Sequence, residues 1–423
     1  MKQLNDFTLT LGKKEYVPII IGGMGVDTSS PELALAVAKM NGISHLSDAM
    51  ILPVVDRHFH THFVQERMER YKSTVGKSVK PGVVFDHEAL DQALKLYIGK
   101  TMEAKKGDGG IFVNVMEKLA MGNTRESMRV RLNSAMDAGV DGITLSAGLH
   151  LGSLDLMRDN PRFRDVKIGI IVSSARALKL FMRRAARLER LPDYIIVEGP
   201  LAGGHLGFPL NWQDFDLKLI IAEVLRLVEE EGAKIPVIAA GGIFTGSDGV
   251  EFLEMGAAGI QVATRFAVTK ESGLPYDVKQ QFFKANEEDV EVNLLSPTGY
   301  PMRMLKSTPA ITAEVRTNCE AFGYGLDESG NCPCLIAHEK KQVEALKGNA
   351  IEEYTCLCTT MFGFKIWTCG QNVYRLKDTT NRLPDGSYQL PTAEHVFRDY
   401  QYSTDHQIAL PELELPQECL ATA

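Results

Sequence analysis

Residues 235–266 read IPVIAAGGIFTGSDGVEFLEMGAAGIQVATRF. The stretch opens on a short apolar run at 236–240 (PVIAA) and turns at Gly241-Gly242. A helical stretch follows over 247–255, with Ser247 and Asp248 as N-caps, and a second apolar run closes it at 259–263 (GIQVA). Strand, turn, helix and strand in about 30 residues make a βαβ unit, and such units build parallel sheets.

Outward from this unit, the same theme fills the first two-thirds of the chain. Six earlier β-branched runs lie at 17–21 (VPIII), 43–47 (ISHLS), 111–115 (IFVNV), 142–146 (GITLS), 168–172 (IGIIV) and 194–198 (YIIVE). Helical stretches separate them, at 31–41, 126–138, 174–187 and 216–231. The runs are apolar without alternation, as in strands covered by helices on both faces. Eight strands between residues 17 and 264 occupy 248 residues, the size of a (β/α)₈ TIM barrel at ~250. A doubly wound sheet is the rival, and it places a phosphate-binding glycine loop after its first strand. Gly22-Gly23-Met24-Gly25 does follow the first run. It lacks the GxGxxG spacing, however, and richer glycine turns follow the sixth and seventh runs. The expectation is therefore an α/β protein with a (β/α)₈ barrel over 1–272, interrupted by an insertion at 50–110 that is helical at 88–106. Beyond it, 273–423 reads as a mostly helical C-terminal appendage that lids the barrel mouth. Within that appendage 273–315 reads as helical and irregular, and the tail from 378 as polar and poor in periodicity.

Composition narrows the function classes. The 423 residues carry 46 Lys and Arg against 54 Asp and Glu, a formal charge of −8. That balance argues against nucleic acid and anionic membrane as partners. Hydrophobic residues at 44% and charged residues at 24% are those of a globular protein. The N-terminal MKQLNDFTLTLGKKEYVPIII lacks the unbroken apolar core of a secretory signal, and no run approaches the ~18 apolar residues of a membrane span. The seven cysteines then point to reduced thiols, a metal site or burial rather than a secreted disulfide framework. A cytoplasmic protein is expected.

Barrel enzymes carry their sites at the C-terminal ends of the strands. There the chain reads Glu198-Gly199-Pro200-Leu201-Ala202-Gly203-Gly204-His205-Leu206-Gly207 after the sixth run, Gly241-Gly242 after the seventh, and Ala263-Thr264-Arg265-Phe266 after the eighth. Glycines let the backbone approach a ligand, and successive N–H groups can cradle a phosphate. His205 is the histidine inside such a loop, and an imidazole titrating near ~6.5 can hold or move a proton at neutral pH.

EGPLAGGHLGF (198–208), the stretch 235–266, TKES (269–272), PIIIGGMG (18–25), Asn114 and SPTGYPMR (296–303) together resemble the nitronate monooxygenase family, formerly the 2-nitropropane dioxygenases. The resemblance spans about residues 15–305. It implies an FMN-bound barrel. The flavin phosphate would lie against backbone at Gly241, Gly242, Ala263 and Thr264. Gln261, Gly203, Gly204, Ser173 and Asn114 would run along the rest of the cofactor, and Gly22, Gly23 and Met24 would approach the ring. His205 matches the family's active-site histidine, as general base or as the group orienting the nitro oxygens. The family's usual Gly-Thr-Arg-Phe reads Ala-Thr-Arg-Phe here, which leaves a backbone N–H contact intact. Arg265 could pair with the phosphate, but a structural ion-pair partner is the favoured reading. The implied reaction oxidises an alkyl nitronate with O₂ to a carbonyl compound and nitrite, with a small-molecule substrate and O₂ as partners and a homodimer as the assembly. The same fold and histidine loop also resemble flavin-dependent, NAD(P)H-driven enoyl-thioester reductases. A flavin-binding protein with an assembly or regulatory role is the third reading.

Cys332-Pro333-Cys334 and Cys356-Leu357-Cys358, flanked by Cys319 and Cys369, hold thiols enough for zinc or an iron–sulfur cluster. Their C-x-C spacing is not that of zinc ribbons, so buried thiols or a disulfide are the alternatives, and no metal is assigned. The Gln371–Arg375 strip could reach over the barrel mouth. His58 and His62 would share a helix face if RHFHTHFVQERMERY began a helix, without an evident third ligand. His45 points either into the barrel or toward the helices.

Overall fold

The computed structural model describes residues 1–74, 77, 79–80, 82–117, 124–296, 298–312, 336 and 357–413. A hairpin of β1 (Leu9–Leu11) and β2 (Lys14–Tyr16) leads into β3 (Ile19–Ile21), β4 (Ile43–Ser47), β5 (Gly110–Met116), β6 (Gly142–Ser146), β7 (Lys167–Val172) and β8 (Tyr194–Glu198). The short β9 (Gly204–His205) precedes β10 (Val237–Ala240), β11 (Gly259–Val262), β12 (Val290–Asn293) and β13 (Met302–Leu305). Strands β3 to β8 with β10 and β11 pair in parallel and close into an eight-stranded barrel. The sequence-based expectation of eight strands thus holds, each within two residues of its predicted ends.

Side-chain parity separates two cores. Ile20, Ile43, Phe112, Tyr194, Ile196 and Ile238 point inward and pack with Leu9, Leu11 and Tyr16, so the hairpin closes the N-terminal end of the barrel. The alternate residues, among them Ile19, Ile21, Ile195 and Val197, pack outward against the helices. Large inward rings need small neighbours. A Cβ on Gly169 would stand 2.1 Å from the Tyr194 ring, and one on Gly142 2.9 Å from that of Phe112. His45 proves to face inward, its Nδ1 2.7 Å from the Ile21 carbonyl and its Nε2 against the Thr144 hydroxyl. Burial pushes this imidazole down to about 4, so it is a neutral part of the core.

The helix after β10 spans Gly246–Glu254 and is capped by Thr245, whose hydroxyl accepts from Asp248 N–H while the Asp248 carboxylate accepts from Thr245 N–H. Ser247 and Asp248 are therefore not the caps. The reciprocal box satisfies two orphan donors, which neither of them alone would do. Among its described residues the insertion holds three α-helices, Ile51–Phe59, Phe63–Arg70 and His87–Ala104. His58 lies near the end of the first of these, and His62 caps the second, so they share no face. His58 instead bonds Asp27 at 2.7 Å, a contact that raises its pKa.

Residues 273–315 differ from expectation. The helix Tyr276–Lys284 is followed by β12 and β13, which form an antiparallel three-stranded sheet with β9. The polar tail contains an amphipathic helix, Ala393–Tyr402, capped by Thr392. Its Ala393, Val396, Phe397 and Tyr400 join the outer core of the barrel. Arg265 and Asp399, both almost wholly buried, pair at 2.7 Å beneath it, and the guanidinium sits 4.9 Å from the centre of the Tyr400 ring. Arg265 is thus a structural partner, as the sequence suggests. Removing one member of a buried pair strands the other charge at a cost of about 3–5 kcal/mol. Asp399→Ala is expected to lower unfolding free energy by about 3 kcal/mol in denaturant titration, with the urea midpoint falling and the slope unchanged.

Candidate active site

The parity that fills the barrel also furnishes its mouth. Continuing the inward series past Phe112, Thr144, Ile196 and Gly259 brings Asn114, Ser146, Glu198 and Gln261 to the C-terminal rim. They line a cavity of about 440 Å³. Gly22, Gly23 and Met24 enter it from the end of β3, and Ser173 from the end of β7. The β8 loop contributes Gly203, Gly204 and His205, and β10 and β11 contribute Gly241, Gly242, Ala263 and Thr264. All the residues the sequence singles out for the site therefore border one space.

Close approaches explain the glycines. A Cβ at Gly23 would lie 2.6 Å from Asn114, and one at Gly203 would lie 2.6 Å from the Cys369 backbone. Gly241 and Gly242 both take positive φ, 95° and 87°, which side chains resist. Their N–H groups have no backbone partner among the described residues.

His205 is held by the small sheet. Met302 of β13 stands opposite it, and its Nε2 lies 2.7 Å from Ser296 Oγ, which in turn meets Thr298 Oγ1 at 2.7 Å. Burial pushes the imidazole down to about 4, so His205 is neutral at physiological pH. Neighbouring Arg303 is wholly buried and donates to the Pro200 carbonyl at 2.8 Å and to that of Ala202, while its plane covers Trp212 at 4.3 Å. Burial lowers its pKa to about 10. Burial also raises Glu198 to about 7, with Arg303 opposing the shift, and raises the Cys369 thiol to about 12.

The C-terminal segment reaches the same loops. Gln371 N–H donates to the Leu201 carbonyl at 3.1 Å, and Asn372 Nδ2 to that of Gly242 at 2.7 Å. Leu357, Met361, Phe364, Ile366 and Trp367 form the outer wall of the cavity. Cys319, Cys332, Cys334 and Cys356 lie outside the described residues, as does any cluster they would build. Sequence reasoning gave no role to Glu198, Ser296 or Arg303. For Glu198 the signal was present, because Tyr194, Ile196 and Glu198 share one parity. For the other two it was not, since β13 reaches the site by a pairing that no local pattern announces.

A flavin fits this donor set. Among the described residues the buried amide oxygen of Gln261 has no hydrogen-bond partner and the Gly241 and Gly242 N–H groups have no backbone partner, while the absence of a Cβ at Gly22 and Gly23 lets Gln261 and Asn114 pack against the first-strand turn at the cavity.

A closed parallel barrel with such a mouth is the architecture of a barrel enzyme. The chain belongs to the nitronate monooxygenase family, whose model matches residues 8–345. The family is generally flavin-dependent. Among curated relatives, a probable nitronate monooxygenase of Staphylococcus haemolyticus is 35% identical over 100 residues, 24% of this chain and 28% of that protein. A (3aS,4S,5R,7aS)-5-hydroxy-7a-methyl-1-oxo-octahydro-1H-indene-4-carboxyl-CoA dehydrogenase of Mycobacterium tuberculosis is 34% identical over 138 residues, 33% of this chain and 36% of that protein. The chain thus matches about a third or less of these relatives' length. Solved structures share the fold across nearly the whole chain. Nitroalkane oxidase of Streptomyces ansochromogenes aligns with TM-score 0.56 at 15% identity, covering 90% of this chain and 94% of that one. FabK of Thermotoga maritima aligns with TM-score 0.54 at 18% identity, covering 95% of each. Among the described residues, no helix is long and apolar enough to cross a membrane.

Because burial alone depresses His205, its ring should stay neutral through the physiological range. Nitrogen chemical shifts of the imidazole are expected to titrate near pH 4, and folding stability to fall as pH drops from ~6.5 toward that value. His205→Gln should flatten that part of the stability profile.

Proposed function

We propose that this chain is an FMN-dependent oxidoreductase that converts alkyl nitronates, with O₂, into carbonyl compounds and nitrite in the cytoplasm. The observation that carries the reading is the convergence of His205 with glycine turns from the ends of β3, β8 and β10 on one cavity. FMN, when bound, supplies the two-electron redox chemistry and the reaction with O₂. The backbone at Gly241, Gly242, Ala263 and Thr264 would hold its phosphate. Gln261, Asn114, Ser173, Gly203 and Gly204 would line the rest of the cofactor, with Gly22, Gly23 and Met24 under the ring.

His205 then acts as a neutral group. A nitronate is already the deprotonated form of a nitroalkane, so no C–H proton has to be removed. A neutral imidazole whose Nε2 is anchored on Ser296 suits the task of fixing the nitro oxygens. The reading of His205 as an orienting group is therefore favoured over that of general base, for which a pKa near 4 is poorly matched.

One observation supports the alternative, a flavin-dependent enoyl-thioester reductase. The outer wall of Leu357, Met361, Phe364, Ile366 and Trp367 provides apolar surface beyond what a short nitroalkane would cover.

Oxygen uptake with a short alkyl nitronate, without NAD(P)H, separates the two. Rapid uptake with nitrite release is expected. Flavin bleaching by NAD(P)H, reversed by an enoyl thioester, with no response to nitronate would transfer the assignment to the reductase. His205→Ala is expected to retain flavin and lose about 100-fold in kcat/KM. Full turnover in that variant would remove His205 from the mechanism.

A further inference from the structure

Glu198 ends β8 with its side chain at the barrel mouth, and the strand register places it with care. Ala240 on β10 is paired with Glu198 on one side and Gln261 on the other. Glu198 and Gln261 therefore stand at one level, two strand spacings or about 10 Å apart. The methyl group of Ala240 lies between them and leaves the space above it open. Both side chains border the cavity. The Gln261 amide oxygen is buried and without a hydrogen-bond partner, and the Glu198 carboxyl makes no hydrogen bond or ion pair with the described residues. Two polar groups thus face the same space with no partner among the described residues. Leaving such groups unpaired is costly, and a ligand that fills the mouth would meet both.

We propose that Glu198 meets the bound flavin as the protonated acid, so that cofactor binding takes up a proton at this residue. The inference rests on the flavin-site reading above. Its physical basis is desolvation: in the open cavity water reaches the carboxyl, whereas a ligand lying over Ala240 replaces that water with an apolar ring. The carboxylate form loses most from this exchange. A phosphate-bearing ligand adds negative charge nearby and acts in the same direction. Among the described residues the cation facing Glu198 is Arg303 of β13, whose Nη1 donates to the Pro200 and Ala202 carbonyls and which makes no hydrogen bond or ion pair with Glu198.

The other titratable groups around this floor do not change charge in the same range. Arg303 is cationic below about 10, the Cys369 thiol from the C-terminal segment is neutral below about 12, and His205 of β9 is neutral above about 4. Glu198, raised to about 7, is left as the group that titrates there.

The test is equilibrium dialysis of the full-length, flavin-loaded chain between about pH 6 and 9, reading released flavin by fluorescence. The dissociation constant is expected to rise about tenfold per pH unit above about 7. Riboflavin used in place of FMN removes the ligand phosphate, whose own titration near about 6 would otherwise contribute, and the slope should persist. Glu198→Gln is expected to bind flavin with no slope, and Gln261→Leu to bind it more weakly with the slope kept. A slope retained in Glu198→Gln, or absent from the unmodified chain, overturns the proposal while leaving the flavin site standing. Failure to retain flavin at any pH overturns both. Should Glu198→Gln not fold, the flavin-bound minus flavin-free infrared difference spectrum of the unmodified chain decides, recorded above the value of about 7 at which the flavin-free carboxyl loses its proton. A gained carboxylic-acid carbonyl band supports the proposal, and a band unchanged or lost rejects it.

Discussion

Arg303 holds the loop after β8 in place, and most of what distinguishes the mouth depends on it. The run 199–204 contains three glycines and one proline, and fixing a residue costs about 1–2 kcal/mol of backbone entropy. A single guanidinium nitrogen accepts that task by donating to the carbonyls of Pro200 and Ala202, and Trp212 covers its plane. The register of β13 does the rest, with Arg303 facing Gly204 and Met302 facing His205. The arginine, the loop and the histidine therefore form one unit. The antiparallel sheet of β9, β12 and β13 is the means by which chain beyond the barrel sets the geometry inside its mouth.

The electrostatics follow from where this unit lies. Burial drives His205 and Glu198 toward their neutral forms and keeps the Cys369 thiol protonated, while Arg303 remains the cation beneath them. A site with few charges on its floor suits a flat, largely uncharged ring. Under the proposed reading a negatively charged end group would be served instead by backbone N–H groups at the β10 turn, where Gly241 and Gly242 take positive φ. Polar recognition is thus split between side chains near the barrel axis and backbone at its rim.

How much of this the sequence disclosed depended on the range of the forces involved. Strands buried on both faces are written as local apolar runs, and turns that need positive φ are written as glycines, so 194–207 and 235–266 could be read directly. Caps were less secure. Ser247 and Asp248 looked adequate, yet Thr245 wins because only it lets Asp248 return a bond from the third helical position. The helix Ala393–Tyr402 was hidden by its polar composition, since the apolar stripe of Ala393, Val396, Phe397 and Tyr400 is narrow and its stability comes from the barrel surface. The strands β12 and β13 were hidden for another reason. β12 pairs only with β13, whose other partner β9 is two residues long, and pairing across about a hundred residues leaves no periodic trace.

The segment after β3 and the C-terminal segment meet at the outer wall, and this makes the wall more than a cover. Arg57 pairs with Asp27 at 2.7 Å, just past the Gly22–Gly25 turn, and stacks 4.2 Å over the Phe362 ring. In the same place a Cβ on Gly25 would come within 3.3 Å of Met361. The first-strand turn that borders the cavity floor is therefore braced against the segment that forms its apolar outer face. A change of side chain at Met361 or Phe364 cannot widen the outer chamber without relaxing that brace, because interiors packed at this density transmit displacement rather than absorb it. Differences in what related barrels accept at the mouth should then arise through paired changes, one in the C-terminal wall and one near Asp27 or Arg57. The parity-set floor of Asn114, Glu198 and Gln261 would stay constant beneath them.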